Sequence, residues 1–572
     1  MRKKKLGAIA LAATLTLTTL LTGCGGSDKS KETSGGAKGD EGQVIGAIQI
    51  DLRTFDTAQC SDTASATILS NVMEGLFRYK INEDGDAILE NAGASDCTIS
   101  EDGLTYTVKL RENNWSDGEP VTADDYVFAV ERLLNPELVC NGAFFAWGLV
   151  GAQDYYDGKT DDFSTVGVKA IDDMTVEYTL TAVDSAFKDK LANAVFFPLR
   201  RDIVESVGEN YGTSIDGMVF SGPFKITQWS DKDTAVLEKN EEYWDADSVK
   251  LSQIDMTYVD EATTIDQMFL QGDFVSTQNT SGEYLDKYKE LAENGEITQV
   301  HNDKVGPWWM SFQMNGGPSG LMGNAKIRKA VGYAIDGQEI CDTIYGTGTQ
   351  ANTFVPESIT LGDSSYRSQV GDDGLWEDEG KAYRGNKEAL QALFKEGLTE
   401  LGLQTDDLSK YTISYLCYGD TSKALQVQEF YQQSIEKMLG INLELKVLAD
   451  WAQYGTEVNG EDWDISVNGW TPDYNEPMTY IDMFVTGGSS NVQKFSSEEY
   501  DSLVEQAKST IDTAERAELY RKCEQILCDE AVLTPIYVSP IEIFLSNDFK
   551  GAQILQGTLG LDWDYKYAYI EE

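Results

Sequence analysis

Few side chains in this 572-residue chain stand where they could break bonds. His301 is the single histidine, between Val300 and Asn302 and outside any HExxH-like pattern. Hydrolases that need a placed imidazole and most zinc sites are therefore unsupported, and the position reads as a polar residue near a strand end. No GxxxxGK[ST] loop occurs, so the chain is not expected to hydrolyse ATP. Acidic pairs such as Asp124/Asp125 arise by chance among 96 carboxylates, and nothing marks one pair as the acid and base of a glycan hydrolase. One carboxylate has a more specific setting. Asp473 follows a strand-like run at 464–470, Thr471-Pro472 turns the chain, and Trp470 and Tyr474 flank it. A carboxylate there could cap the turn, or face a cleft and hold a cation through a charge-assisted hydrogen bond of about 1.5–3 kcal/mol.

The elements that must position such a residue are legible in part. Residues 411–418 form a β-rich run ended by Gly419-Asp420. A helix is predicted next, with Ala424, Val427, Tyr431, Ile435 and Met438 on one face and Gly440 closing it. Ile441, Leu443, Leu445 and Val447 then alternate with polar residues, as in a half-buried strand. This βαβ unit implies an α/β domain. Thr122 is the predicted N-cap of a helix reaching about Leu134, with acidic residues in its first turn. Residues 512–515 resemble a capping box, and Leu519, Cys523, Ile526 and Leu527 continue at helical spacing. Trp115 is expected in the core, and Arg328 at the surface or in an ion pair.

Composition sets the class. The length allows two or three domains. With 45 Lys+Arg against 96 Asp+Glu, the surface repels nucleic acid phosphates and anionic lipid head groups. Arg2, Lys3, Lys4 and Lys5 precede an apolar run too short to span a bilayer, the pattern of a signal peptide over 1–23. Leu21-Thr22-Gly23-Cys24 resembles the bacterial lipobox, which makes Cys24 the lipidated N-terminus of the mature protein. Residues 24–42 carry Gly, Ser, Lys and Asp without apolar periodicity and read as a flexible tether. Removing 1–23 takes away four basic residues and deepens the formal charge from −51 to −55. Seven cysteines remain, with no CxxC pair: Cys60, Cys97, Cys140, Cys341, Cys417, Cys523 and Cys528. Free buried thiols or one or two isolated bridges fit them; a disulfide framework is not indicated.

Several segments, in order along nearly the whole mature chain, resemble the extracellular solute-binding proteins of family 5, the peptide receptors of ABC importers. They are Asn71-Val-Met-Glu-Gly-Leu-Phe77, the stretches 102–111 and 115–125, 166–172, Ser221-Gly-Pro-Phe224, 325–336 and 469–477. The resemblance implies a two-lobed, periplasmic-binding-protein-like α/β fold (class II, cluster C) with an extra domain in the N-terminal half. Domain I would comprise 43–75, 196–305 and 539–572, domain II 76–195, and domain III, the second lobe, 306–538. It further implies a monomeric lipoprotein, anchored through Cys24 on the outer face of the membrane of a bacterium lacking an outer membrane. That receptor would hand ligand to permease subunits and is not expected to be an enzyme or to need a cofactor or metal.

For the site, the family's aspartate matching Asp473 receives the ligand's α-ammonium group. Trp451 matches an aromatic ligand contact, and Gly469, Trp470 and Tyr474 lie in the matched motif, where backbone groups hold an extended peptide. Trp308 and Trp309 lie near the implied hinge. One departure stands out. Some members place arginines for the ligand's C-terminal carboxylate where this chain has Val458 and Val467, and no basic residue lies between Trp451 and Asp473. The ligand can therefore be a short peptide, a longer peptide, or a non-peptide solute such as an oligosaccharide; a surface-anchored hydrolase is the remaining reading.

Overall fold

The computed structural model describes residues 42–571 except 49–51, 84, 279–282, 303–304, 372–373, 420 and 556–560. The signal peptide, Cys24 and nearly all of the tether lie outside the described residues.

The βαβ unit forms as its pattern requires. Strand Thr412–Tyr418 and strand Asn442–Leu448 pair in parallel, Thr412 opposite Asn442 and Tyr418 opposite Leu448. Helix Ser422–Leu439 joins them; Thr421 Oγ1 accepts from the Ala424 amide, and Gly440, with φ 77°, ends the helix in the left-handed region. Tyr431 and Ile435 are buried as expected. Val447 is not: it is 45% exposed, because Asn442–Leu448 is the edge strand and its far end lacks cover.

That strand edges a six-stranded sheet ordered Thr349–Gln350, Leu533–Val538, Trp308–Phe312, Ile465–Asn468, Thr412–Tyr418, Asn442–Leu448. Every strand of it comes from residues 308–538. The N-terminal half builds two four-stranded sheets. One joins Gln43–Ile48 in parallel to Leu251–Thr257 and continues through Thr234–Lys239 to Phe224–Trp229. The other is antiparallel and runs Ala94–Ile99, Thr105–Leu110, Thr175–Thr179, Val168–Asp172.

A three-stranded sheet shows how the chain is threaded. Ile541–Ser546 lies between Ser276–Gln278 and Ile297–Asn302, so the C-terminal tail returns to the N-terminal half directly after leaving the six-stranded sheet at Val538. The chain thus passes between the halves at 302–308 and at 538–541. His301 lies at the first crossing, 2.8 Å from Glu542. The tail is fastened by Asn71, whose Nδ2 donates to the Trp563 carbonyl at 2.7 Å and whose Oδ1 accepts from the Tyr565 amide at 2.8 Å.

The start signals are borne out. Helix Ala123–Leu133 opens with Asp125 accepting from the Thr122 amide, and helix Thr513–Asp529 with Asp512 accepting from the Glu515 amide. Trp115 is fully buried. All seven described cysteines are free thiols, six of them buried.

Arg328 corrects its sequence reading. It is 3% exposed, and its guanidinium donates to the carbonyls of Met322, Glu530 and Ala531 at 2.5–3.0 Å. The fork satisfies carbonyls just beyond helix Thr513–Asp529, a long-range task that periodicity cannot show. Replacing Arg328 by Met keeps the aliphatic stem and strands those acceptors, so a loss of about 2–4 kcal/mol is expected in urea unfolding. An unchanged midpoint would mean that water reaches the carbonyls.

Candidate functional site

The site grows from the end of strand Ile465–Asn468. Asn468 closes the strand, with Nδ2 donating to Ser311 Oγ at 2.9 Å and Oδ1 accepting the Tyr454 hydroxyl at 2.7 Å. Gly469 follows, exposed. A Cβ there would meet three carbons of the Trp308 indole at 3.3–3.4 Å, so glycine lets the ring lie across the backbone. Trp308 in turn stacks on Tyr537, with ring centroids 6.2 Å apart. Trp470 is half-buried; its carbonyl accepts the Tyr480 hydroxyl at 3.2 Å, while its buried indole N–H has no partner among the described residues.

The chain then turns through Thr471-Pro472 into a segment held from both sides. Asn475 donates its amide to the Tyr79 hydroxyl at 3.2 Å and its Nδ2 to the Ala87 carbonyl at 2.5 Å, both in the N-terminal half. Lys190 lies 5.2 Å over the ring of Tyr474, which is itself buried. Glu476, also buried, accepts from Arg516 Nε at 3.1 Å, the Tyr520 hydroxyl at 2.5 Å and the Met478 amide at 2.7 Å.

Asp473 sits at this junction and lines a cavity of about 440 Å³. Thr471 and Pro472 share its wall; Asp62, Tyr79, Phe144 and Asp189 face it from the N-terminal half. The Asp473 amide donates to Thr479 Oγ1 at 3.2 Å, but its carboxylate forms no ion pair with any described residue. Burial pushes its pKa up to about 6, Asp482 adds to the rise, and Lys190 opposes it. A half-buried carboxylate so placed can accept a cation.

Of the expected site residues Asp473 lines this cavity; Gly469, Trp470 and Tyr474 adjoin it along the chain and are not among the lining residues. Trp451 stands elsewhere on the same end of the sheet. It opens helix Trp451–Glu457, is 64% exposed, stacks on Tyr454 and meets Tyr418 edge-on, each at 5.4 Å. Val458 is buried with Leu416, Tyr454 and Trp463, and Val467 is half-buried within its strand. Sequence reasoning missed the opposite wall: Tyr79, Phe144 and Asp189 carry no local signal, since Lys188-Asp189-Lys190 looks like any solvated charge run.

Comparison with known proteins decides the family. The family model described as bacterial extracellular solute-binding proteins, family 5 (middle), matches residues 89–492. The chain belongs to this family. It is 30% identical over 543 residues to the dipeptide-binding protein DppE of Bacillus subtilis, covering 94% of each chain. It is 29% identical to the oligopeptide-binding protein OppA of the same organism, covering 97% of this chain and 98% of that one. Among solved structures, the substrate-binding domain of an oligopeptide ABC transporter from Bacillus anthracis is 31% identical with a TM-score of 0.71, over 93% of this chain and 99% of that one. Listeria monocytogenes OppA bound to peptide is 29% identical with a TM-score of 0.70, over 93% and 100%. The two-lobed α/β fold of family 5 is therefore the fold of this chain, with the six-stranded sheet in one lobe. Family members are substrate-binding proteins rather than enzymes. No helix among the described residues is long and apolar enough to cross a membrane.

The raised pKa of Asp473 has a stability consequence with a definite sign. The folded value of about 6 lies above the unfolded value, so the folded state holds the proton more tightly. Ligand-free stability is then lost as pH rises from about 4 to about 6, by on the order of 3 kcal/mol. Asp473→Asn should accordingly raise the ligand-free melting temperature at pH 8 and leave it unchanged near pH 3.5. A lower melting temperature at pH 8 would show that the carboxylate has a partner.

Proposed function

We propose that this chain is the extracellular substrate-binding lipoprotein of an ABC importer, and that it captures short peptides in the cleft between its lobes for delivery to the permease. The carrying observation is Asp473: a carboxylate on the wall of an interlobe cavity, shifted toward neutrality by burial and with no ion-pair partner among the described residues. A peptide's α-ammonium completes it. Exposed Gly469 offers backbone polar groups beside the turn, against which an extended chain is held as an added strand is held. Trp451 supplies an exposed ring further along the same sheet end, and Tyr474 backs the turn. Two relatives, a dipeptide-binding and an oligopeptide-binding protein, support the ligand class.

In this reading domain I comprises 43–75, 196–305 and 539–572, domain II 76–195, and domain III 306–538; the passages of the chain between the halves at 302–308 and 538–541 support that division. Cys24 is the lipid anchor on the outer face of the cytoplasmic membrane, and the tether carries a monomeric receptor to permease subunits.

Calorimetry with a panel of di- to pentapeptides tests the ligand class. Affinity should hold above pH 7 and fall below pH 6, by up to about tenfold per unit, as Asp473 takes up a proton. Asp473→Asn should cost about 1.5–3 kcal/mol of binding and flatten that pH dependence. Heat from a co-purified sugar but from no peptide would sink the proposal. The anchor is tested separately: cells fed an alkyne fatty acid should label the wild-type chain and not Cys24→Ala.

A further inference from the structure

Beside Asp473 the cavity holds a second carboxylate for which the proposed function has no use. Asp189 comes from the short helix Phe187–Lys190. Its Oδ1 accepts the Tyr79 hydroxyl at 3.2 Å; its Oδ2 has no hydrogen bond or ion pair among the described residues. The neighbouring cations are engaged elsewhere. Lys190 is 2.7 Å from Asp184 and lies over Tyr474, Lys188 lies 4.9 Å over the Phe77 ring, and Arg516 is held by Glu476 at 3.1 Å. Among the described residues no Lys, Arg or His lines the cavity. Asp62, its third carboxylate, is spent on the start of helix Thr63–Val72, accepting from the Ser65 amide and hydroxyl at 2.9 and 2.8 Å. The remaining wall includes the stacked rings of Phe144 and Phe145 and the methyl of Ala192, surface suited to a methylene stem.

We propose that this cavity receives a basic side chain, lysine or arginine, on the first residue of the bound peptide, with Asp189 as its acceptor. The inference rests on Asp473 holding that residue's α-amine, since the two carboxylates share one cavity. Alternatives fit the walls less well. An apolar side chain would seal the Asp189 oxygen from water without a partner, which costs about 1–3 kcal/mol. An acidic one would add a like charge to a cavity that already holds three carboxylates and no cation. Burial, reinforced by Glu476, pushes Asp189 up to about 7, with Tyr79, Lys188 and Arg516 the other charged or titratable groups acting on it. A bound ammonium therefore meets a group that ionises fully only in its presence or at higher pH.

The experiment compares Lys-Ala-Ala, norleucine-Ala-Ala and Glu-Ala-Ala by calorimetry, on the wild type and on Asp189→Asn, at pH 6 and pH 8. Asparagine keeps an acceptor for the Tyr79 hydroxyl and removes only the charge. Lys-Ala-Ala should bind the wild type at least about tenfold tighter than the norleucine peptide at pH 8, with a smaller margin at pH 6. In Asp189→Asn that preference should vanish while norleucine-Ala-Ala stays within about twofold of its wild-type affinity. Equal binding of the lysine and norleucine peptides to the wild type overturns the inference and leaves the Asp473 anchor standing. An equal loss for both peptides in Asp189→Asn also overturns it, assigning Asp189 to positioning through Tyr79. Failure of every tripeptide to bind overturns the peptide reading and this one with it.

Discussion

Everything that meets at the cavity hangs from one buried carboxylate. Glu476 is fully enclosed and is made tolerable by Arg516, the Tyr520 hydroxyl and the Met478 amide. Breaking such a pair by removing one partner typically costs about 3–5 kcal/mol, because the survivor is left charged and dry. That penalty fixes the turn 471–476 to helix Thr513–Asp529 and so sets where Asp473 can point. The same turn reaches the other half of the molecule through Asn475, whose two donors serve Tyr79 and Ala87. A short stretch without regular structure is thereby placed as firmly as a strand would be.

Two carboxylates three residues apart have opposite fates. Burial raises the pKa of both, but Arg516 and Tyr520 pull Glu476 back toward its charged form, whereas Lys190, engaged by Asp184, does less for Asp473. The first is a finished internal contact. The second is left in a state that a cation from outside improves. Binding sites are where a protein carries such unfinished electrostatics, and the contrast within one turn sets the structural acid Glu476 apart from Asp473, the acid proposed as receptor.

What was legible in the sequence follows the range of the interactions involved. The βαβ unit, the caps at Thr122 and Asp512 and the burial of Trp115 depend on neighbours within a few positions, and the alternation and cap residues announce them. Val447 shows the first limit: strand alternation is real, but edge position decides how much of it is covered. Arg328 shows the second, since its acceptors at Glu530 and Ala531 lie some 200 positions away. Asp473 could be singled out through its motif and the family resemblance, whereas the wall it faces could not. Tyr79 and Asn475, whose hydrogen bond closes that wall, are 396 positions apart, and neither has a local pattern that points to the other.

The same geometry links ligand to closure. The Asp473 carboxylate is desolvated by burial, and residues of the N-terminal half, Tyr79, Phe144 and Asp189 among them, line the same cavity. Separating the halves would return it to water and relieve that penalty; bringing them together imposes it. A ligand that neutralises Asp473 therefore favours the closed arrangement by the part of the penalty it removes, beyond any contact it makes with both walls. A ligand shifts a conformational equilibrium only by its differential affinity for the two states, and with Asp473 in its proposed role the differential is built into that carboxylate. Glu476, already paired, contributes nothing to that difference. The unpaired acid makes the turn responsive, and the paired one keeps it in place.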